Sequence, residues 1–351
     1  MHIDSLDFSP EEIQSSIENK RLLSIEIEFI RRCNLQCIYC YANGNPKDVR
    51  EMPIEKIKDV ILQAKELGVK HVTLLGGGEP LLYNNLKELI DFNDKQGLRQ
   101  TIFTNGVFLT KELAHFMYQN RVSVVLKYNS HSEKVQDNLT QVPGTCRKIE
   151  RALENLFESG YPDQGRLFAI QTVICKSNIT ELPDLWIWAR QNNIIPYFET
   201  LTYQGRIKAY PEQIPSISEV RDLFNQLSRI DESMFQQIWK PHPPIAAFTC
   251  QRLLFSCLIN VQGEVQPCTG IDFSLGNIWT QPLKKILNGN ETMHKIRNIY
   301  QYIKGKCRDC KYFPGCYGCR GNAYQLTGDF LSSDPYCWVN ESNFESKEIK
   351  A

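Results

Sequence analysis

From Leu22 to about Glu199 the chain alternates between two periods of hydrophobic placement. Short apolar, β-branched runs at Leu23–Ile30, His71–Leu75, Gln100–Phe103, Ser123–Leu126, Leu167–Ile174 and Ile195–Glu199 predict strands. Between them, apolar residues recur at a spacing near 3.6 in Ile54–Leu67, Leu86–Asn93, Lys111–Tyr118, Arg147–Glu158 and Leu182–Gln191, which predicts amphipathic helices. Strand and helix in alternation is the pattern of βαβ units and a parallel sheet. Six such units are too few to close an eightfold barrel, so the expected fold is α/β, a partial (βα)6 barrel. Ligands of such sheets belong at the C-terminal strand ends, where the βα loops gather.

The alternation stops near residue 210. Ile217–Ile230 predicts one more helix, begun by Ser216 and Glu219 at capping-box spacing, before the Pro-rich Lys240–Pro244 breaks the pattern. The remainder is short, irregular and cysteine-rich. It cannot bury enough apolar area alone, so it needs metal staples to fold. The expected division is an N-terminal extension over 1–21, the partial barrel over 22–205, a helical linker over 206–249, a C-terminal irregular cysteine-rich domain over 250–340 and a tail over 341–351.

Composition narrows the function classes. Lys plus Arg equals Asp plus Glu at 40 each, with no long run of either sign, so no nucleic-acid partner is expected. No stretch approaches the roughly 20 apolar residues of a membrane span, and Met1–Pro10 has neither the apolar run of a secretory signal nor a transit-peptide pattern. The expected location is the cytoplasm, where thiols stay reduced and cysteines are kept for metals or reactivity. There are thirteen: three between positions 33 and 40, eight between 250 and 337, and only Cys146 and Cys175 alone. Clustering of that kind reads as metal binding.

Cys33, Cys37 and Cys40 share one loop after the first predicted strand, at spacing CxxxCxxC. Three thiolates hold three irons of a 4Fe–4S cubane and leave the fourth iron open to a ligand. Zinc completed by a distant His, or a cluster completed by a fourth Cys, is the alternative, but no His follows at a suitable spacing. With the aromatic Tyr39 before the third cysteine, the segment resembles the motif of the radical S-adenosylmethionine superfamily. The resemblance implies that the methionine end of S-adenosylmethionine chelates the open iron, that Tyr39 lies near the adenine, and that cluster reduction yields a 5′-deoxyadenosyl radical.

Gly76-Gly77-Gly78-Glu79-Pro80 follows the second strand, where the superfamily has its GGE motif. Glycines let a backbone approach a cofactor closely and a carboxylate accepts from an ammonium, so the resemblance gives Gly77, Gly78 and Glu79 to the methionine end. Thr104-Asn105-Gly106 ends the third strand and resembles the family's TNG, although Asn-Gly marks a turn anywhere. After the fourth strand many relatives read Ser-Leu-Asp-Gly, whereas this chain has Lys127-Tyr128-Asn129-Ser130. Asn129 and Ser130 are expected to hydrogen-bond the cofactor's ribose or carboxylate, Lys127 to meet a carboxylate, and Glu199 to make a polar contact at the sixth strand end.

In the C-terminal region Cys250, Cys257 and Cys268 precede Cys307-x2-Cys310-x5-Cys316-x2-Cys319, and Cys337 follows. Eight thiolates suit two fully ligated 4Fe–4S clusters, three clusters in all with the first. The region resembles a SPASM extension, the auxiliary-cluster domain of one branch of the superfamily. The resemblance implies one cluster on Cys250, Cys257, Cys268 and Cys319 and another on Cys307, Cys310, Cys316 and Cys337. Relatives have three residues where this chain has only Tyr317 and Gly318 before Cys319. A zinc-ribbon site on Cys307, Cys310, Cys316 and Cys319 is the alternative, but it leaves the other four cysteines unexplained.

The expected activity is a radical oxidoreductase, a dehydrogenase or peptide-modifying maturase. It abstracts a hydrogen, then oxidises or cross-links a peptide or small molecule while the auxiliary clusters take up electrons. No GxGxxG follows a strand, as an ordinary nicotinamide dehydrogenase would need. A redox-neutral epimerase is the competitor, with Cys146 or Cys175 as hydrogen donor. A non-enzymatic iron–sulfur carrier would leave Gly77, Gly78 and Glu79 without a task. Thr269 stands where sulfatase-maturing relatives have Asp, with Asp272 three further on, which argues against that reaction. A reductant such as flavodoxin or ferredoxin is implied. Because only about twenty residues precede the first strand, any leader peptide would be held by a separate protein.

Overall fold

The computed structural model describes residues 8–340 except Gln164. The first seven residues of the expected N-terminal extension and the expected tail therefore lie outside the described residues. Six strands run in parallel and in sequence order: β1 (Ser24–Ile27), β2 (His71–Leu74), β3 (Arg99–Thr104), β4 (Val122–Lys127), β5 (Phe168–Ile174) and β6 (Ile195–Thr200). Ser24 aligns with His71, His71 with Arg99, and Gln100 with Val122, so the C-terminal strand ends form one rim. The expected first strand is shortened: Phe29 and Ile30 are buried, but Ile30 already forms bridges to Glu51 and Gly77.

The crossover helices are α2 (Ile54–Glu66), α3 (Leu86–Lys95), α4 (Lys111–Gln119), α6 (Thr145–Ser159) and α7 (Leu182–Gln191). α1 (Pro10–Glu18) and α5 (Glu133–Thr140) are additional to the expected set. α1 begins with a capping box, in which Ser9 and Glu12 satisfy each other's backbone N–H groups. α8 (Ile217–Phe235) starts with the expected Ser216–Glu219 box and runs five residues past its predicted end. It is tied to α7 by the fully buried Asp231, which accepts from Trp186 Nε1 at 2.7 Å, Arg190 Nε at 2.9 Å and Trp239 Nε1 at 2.8 Å.

The cysteine-rich region joins the barrel sheet. β7 (Leu258–Ile259) pairs in parallel with β1, aligning Leu258 with Glu26, and β8 (Glu264–Gln266) and β9 (Gly276–Asn277) extend the sheet antiparallel. The resulting nine-stranded order is β6-β5-β4-β3-β2-β1-β7-β8-β9. Strands of two and three residues carry no readable period, and their sequence therefore looks irregular. Among the described residues no helix is long and apolar enough to cross a membrane.

Candidate active site

The cysteine loop is clamped between its neighbours before any ligand is considered. Gly78 N–H donates to the Ile30 carbonyl at 2.6 Å and Glu79 N–H to the Arg32 carbonyl at 2.9 Å. A Cβ on Gly78 would lie 2.2 Å from that Arg32 oxygen, and one on Gly77, at φ +80°, 2.9 Å from Glu28 Oε2. The glycines thus first allow two loops to touch, a role that the sequence expectation assigned to cofactor approach alone. From the other side, Arg206 N–H donates to the Cys40 carbonyl at 3.1 Å, and its guanidinium reaches the carbonyls of Cys37 and Gly44. Gly205 makes this approach possible, since a Cβ there would be 2.3 Å from the Cys40 oxygen. Nothing in the Gly205-Arg206 dipeptide announces this brace in sequence.

A cavity opens over the C-terminal rim, with about 1260 Å³ of empty space that is continuous with solvent. Cys33, Cys37 and Cys40 line one side, and Gly77, Gly78, Glu79 and Thr104 line another. Glu79 is buried, and its carboxylate accepts from Thr104 Oγ1 at 2.5 Å, Asn105 N–H at 2.8 Å and Leu81 N–H at 3.0 Å. Burial nonetheless pushes its pKa up to about 7. Asn105 also donates from Nδ2 to Asn34 at 3.0 Å and toward Cys33 Sγ at 3.9 Å, which couples the third strand's end to the cysteine loop. Burial raises the Cys33 thiol, and it lifts that of Cys37 to about 11.

Tyr39 lines the cavity, and its hydroxyl accepts from Asn129 Nδ2 at 2.7 Å. Asn129 in turn takes the Val173 N–H on Oδ1 at 2.9 Å. Ser130 is fully buried, with its hydroxyl on the Glu181 carboxylate and its N–H on Gln136. Neither residue is on the cavity wall, so the expected direct contacts of Asn129 and Ser130 give way to support of Tyr39 and of the β4 end. Lys127 and Glu199 are on the wall, with Gln171 donating to Glu199 and burial lowering the Lys127 pKa. The floor also carries a buried Glu26–Arg252 ion pair at 2.9 Å, whose Arg252 donates to Tyr197 Oη at 3.0 Å.

Cys146 and Cys175 are buried away from that wall. Cys146 sits in the main core with its thiol toward Glu150 at 3.7 Å. Cys175 packs with Ile38, Val173 and Leu201 behind Tyr39. In both, burial pushes the thiol up to about 12, and the structure brings neither to the cavity as a hydrogen donor.

Cys307, Cys310, Cys316 and Cys337 line one small cavity together with His242 and Gly318. Their sulfurs meet donors: Gly318 N–H faces Cys316 Sγ at 3.3 Å and Asp334 N–H faces Cys307 Sγ at 3.4 Å. Burial, with Asp334, Cys250 and Cys268 nearby, raises the thiol of Cys319, whose Sγ accepts the Asn322 N–H at 3.5 Å. Cys257 is 1% exposed in the main core, just before β7, and burial pushes its thiol up to about 12.

The sites fit what the cysteines call for. The main cavity has buried polar atoms without partners on Glu26 Oε2, Gln171 Oε1, Gln204 Oε1 and Arg252 Nε, which a polar ligand would satisfy. The N–H groups aimed at sulfur are the donors that iron-bound thiolates take.

A parallel sheet with three loop thiols facing a Gly-Gly-Glu loop over its C-terminal rim, joined to a second cysteine-rich module, is the architecture of a radical S-adenosylmethionine protein. The chain belongs to that superfamily: residues 27–185 match the Radical SAM superfamily, and residues 250–311 match SPASM, the iron–sulfur cluster-binding domain. It is 27% identical over 338 residues to an AdoMet-dependent heme synthase of Methanosarcina barkeri, covering 88% of this chain and 94% of that one. It is 26% identical over 325 residues to the mycofactocin maturase MftC of Mycolicibacterium smegmatis, covering 88% and 81%. Streptococcus suis SuiB bound to S-adenosylmethionine superposes with a TM-score of 0.71 at 17% identity, covering 93% of this chain and 81% of that one. Native anSMEcpe with bound AdoMet and a Cp18Cys peptide gives 0.67 at 18%, covering 90% and 93%. The two solved structures support the fold.

Proposed function

We propose that the chain cleaves S-adenosylmethionine reductively and uses the radical to oxidise or cross-link a peptide or small molecule. The observation that carries this reading is the single cavity in which Cys33, Cys37 and Cys40 face Gly77, Gly78 and Glu79. When bound there, a 4Fe–4S cluster and S-adenosylmethionine supply, for one electron taken up, methionine and a 5′-deoxyadenosyl radical that removes one substrate hydrogen atom. Glu79, preorganised by three donors, accepts from the cofactor's ammonium, and Lys127 offers a cation for its carboxylate. Tyr39, fixed by Asn129, orients the adenine side. Leu75, Phe103, Val173 and Leu201 give the wall apolar stretches that keep water from the reacting atoms.

Cys307, Cys310, Cys316 and Cys337 would hold one auxiliary cluster, and Cys250, Cys257, Cys268 and Cys319 the other. Two relatives are a heme synthase and a peptide maturase, and the SuiB fold also occurs in a complex with its precursor peptide SuiA, which supports a substrate among peptides or tetrapyrrole-like small molecules. A flavodoxin or ferredoxin would supply the electron, a separate leader-binding protein would present a peptide, and the reducing cytoplasm would be the setting. Anaerobic reconstitution and reduction with S-adenosylmethionine tests the reading. It expects 5′-deoxyadenosine well above a Cys33→Ala control and about twelve irons per chain. No 5′-deoxyadenosine above that control sinks the radical chemistry, and iron near about four sinks the auxiliary clusters.

A further inference from the structure

A buried arginine presses on one of the auxiliary cysteines, and the chemistry of the barrel does not use it. Arg320 opens the helix Arg320–Thr327 and is only 2% exposed. Its Nε donates to the Gly318 carbonyl at 3.4 Å. Its Nη1 donates to the Phe330 carbonyl at 3.1 Å and to that of Ser332, and its Nη2 to Cys307 Sγ at 3.5 Å. Asp334 feels the guanidinium's charge, but it turns its carboxylate to the N–H groups of Cys319 at 2.9 Å and Tyr336 at 3.0 Å. Among the described residues Arg320 forms no ion pair with a carboxylate.

A guanidinium held among neutral carbonyls is costly to bury, and the cost falls only if an anion shares its surroundings. Asp334 is one such anion, with its carboxylate already engaged by the N–H groups of Cys319 and Tyr336, and the thiolate set of Cys307, Cys310, Cys316 and Cys337 is the other. The chain keeps the approach open. Gly318 has φ +69°, and a Cβ there would stand 2.7 Å from Arg320 Nη2 and 3.0 Å from Cys307 Sγ. Cys307 thus accepts from a fixed cation as well as from the Asp334 N–H.

We propose that Arg320 is a positioning residue that raises the reduction potential of the cluster held by Cys307, Cys310, Cys316 and Cys337. It does so by setting a permanent positive charge and an N–H donor against one ligand sulfur. The inference rests on the reading of those four cysteines as cluster ligands. A nearby cation favours the reduced cluster, which carries one more negative charge, and hydrogen bonds to sulfur act in the same direction.

The test is an anaerobic redox titration followed by electron paramagnetic resonance, on the full chain with its auxiliary clusters and with Cys33, Cys37 and Cys40 changed to Ala to silence the first cluster. Arg320→Gln is expected to keep the iron content and to weaken reduction of one cluster at least tenfold, a downward shift of about 59 mV for a one-electron couple. Gly318→Ala, which displaces the guanidinium from the sulfur, is expected to shift the same cluster in the same direction. It decides the matter if Arg320→Gln fails to hold iron. Full iron with an unmoved potential in either variant overturns the proposal alone. Loss of the cluster in both shows a structural role and also overturns it. A parent chain holding no auxiliary iron overturns the cluster reading and the proposal together.

Discussion

At the scale of single residues, burial sets how readily a side chain ionises. It pushes the thiols of Cys257 and Cys268 alike up to about 12. Cys268→Ser and Cys319→Ser are expected to lose iron and auxiliary-cluster absorption relative to the parent chain. Iron assay and visible absorption after reconstitution read the difference. His71 illustrates the same force in a titratable group. It is fully buried between strands with Nε2 against Thr101 Oγ1 at 3.0 Å, and burial depresses its pKa from 6.5 to about 3. Between those values the unfolded chain binds a proton that the folded chain refuses, so stability is lost as the pH falls from 6.5 toward 3. The contribution is on the order of a few kcal/mol. His71→Gln is expected to flatten that part of the stability profile, read by urea unfolding at pH 7 and pH 5.

At the scale of elements, the loops after β1 and β2 behave as one unit. Gly78→Ala would drive a methyl to 2.2 Å from the Arg32 carbonyl and push the cysteine loop off its neighbour. The expected result is a loss of 5′-deoxyadenosine formation of about 100-fold or more with the fold retained, since a misplacement of about 1 Å at a reacting centre costs that much. Circular dichroism and product quantification separate the two effects. The α7–α8 contact rests on Asp231 in the same concentrated way. Asp231→Ala would strand the Arg190 guanidinium and two indole N–H groups, for an expected loss of about 3–5 kcal/mol measured by denaturant unfolding.

At the scale of the whole molecule, the βα alternation was legible because six strands and five crossover helices each span enough residues to show a period. Leu182–Gln191 emerges with its predicted bounds. The cavity's place was legible for the same reason, since CxxxCxxC and Gly-Gly-Glu each follow a readable strand. What stayed hidden depends on contacts between distant segments. Gly205-Arg206 reads as an ordinary dipeptide until it meets Cys40, and Asn129 looks like a cofactor ligand until Tyr39 and Val173 take up its amide. The short strands β7 to β9 owe their extended form to β1 rather than to their own sequence.

That last pairing bears on how the chain is made. Glu26 and Leu258 lie side by side, although nearly the entire barrel is synthesised between them. While the ribosome is still working, β1 has one open edge, and the floor pair Glu26–Arg252 lacks its cation. Long-range pairings of this kind form late because the intervening loop must close first. The final module therefore acts as a bolt as well as a cluster carrier: a chain cut after β6 would leave an unpaired edge and an uncompensated carboxylate inside the barrel, and would be prone to aggregate before it could ever be loaded with iron.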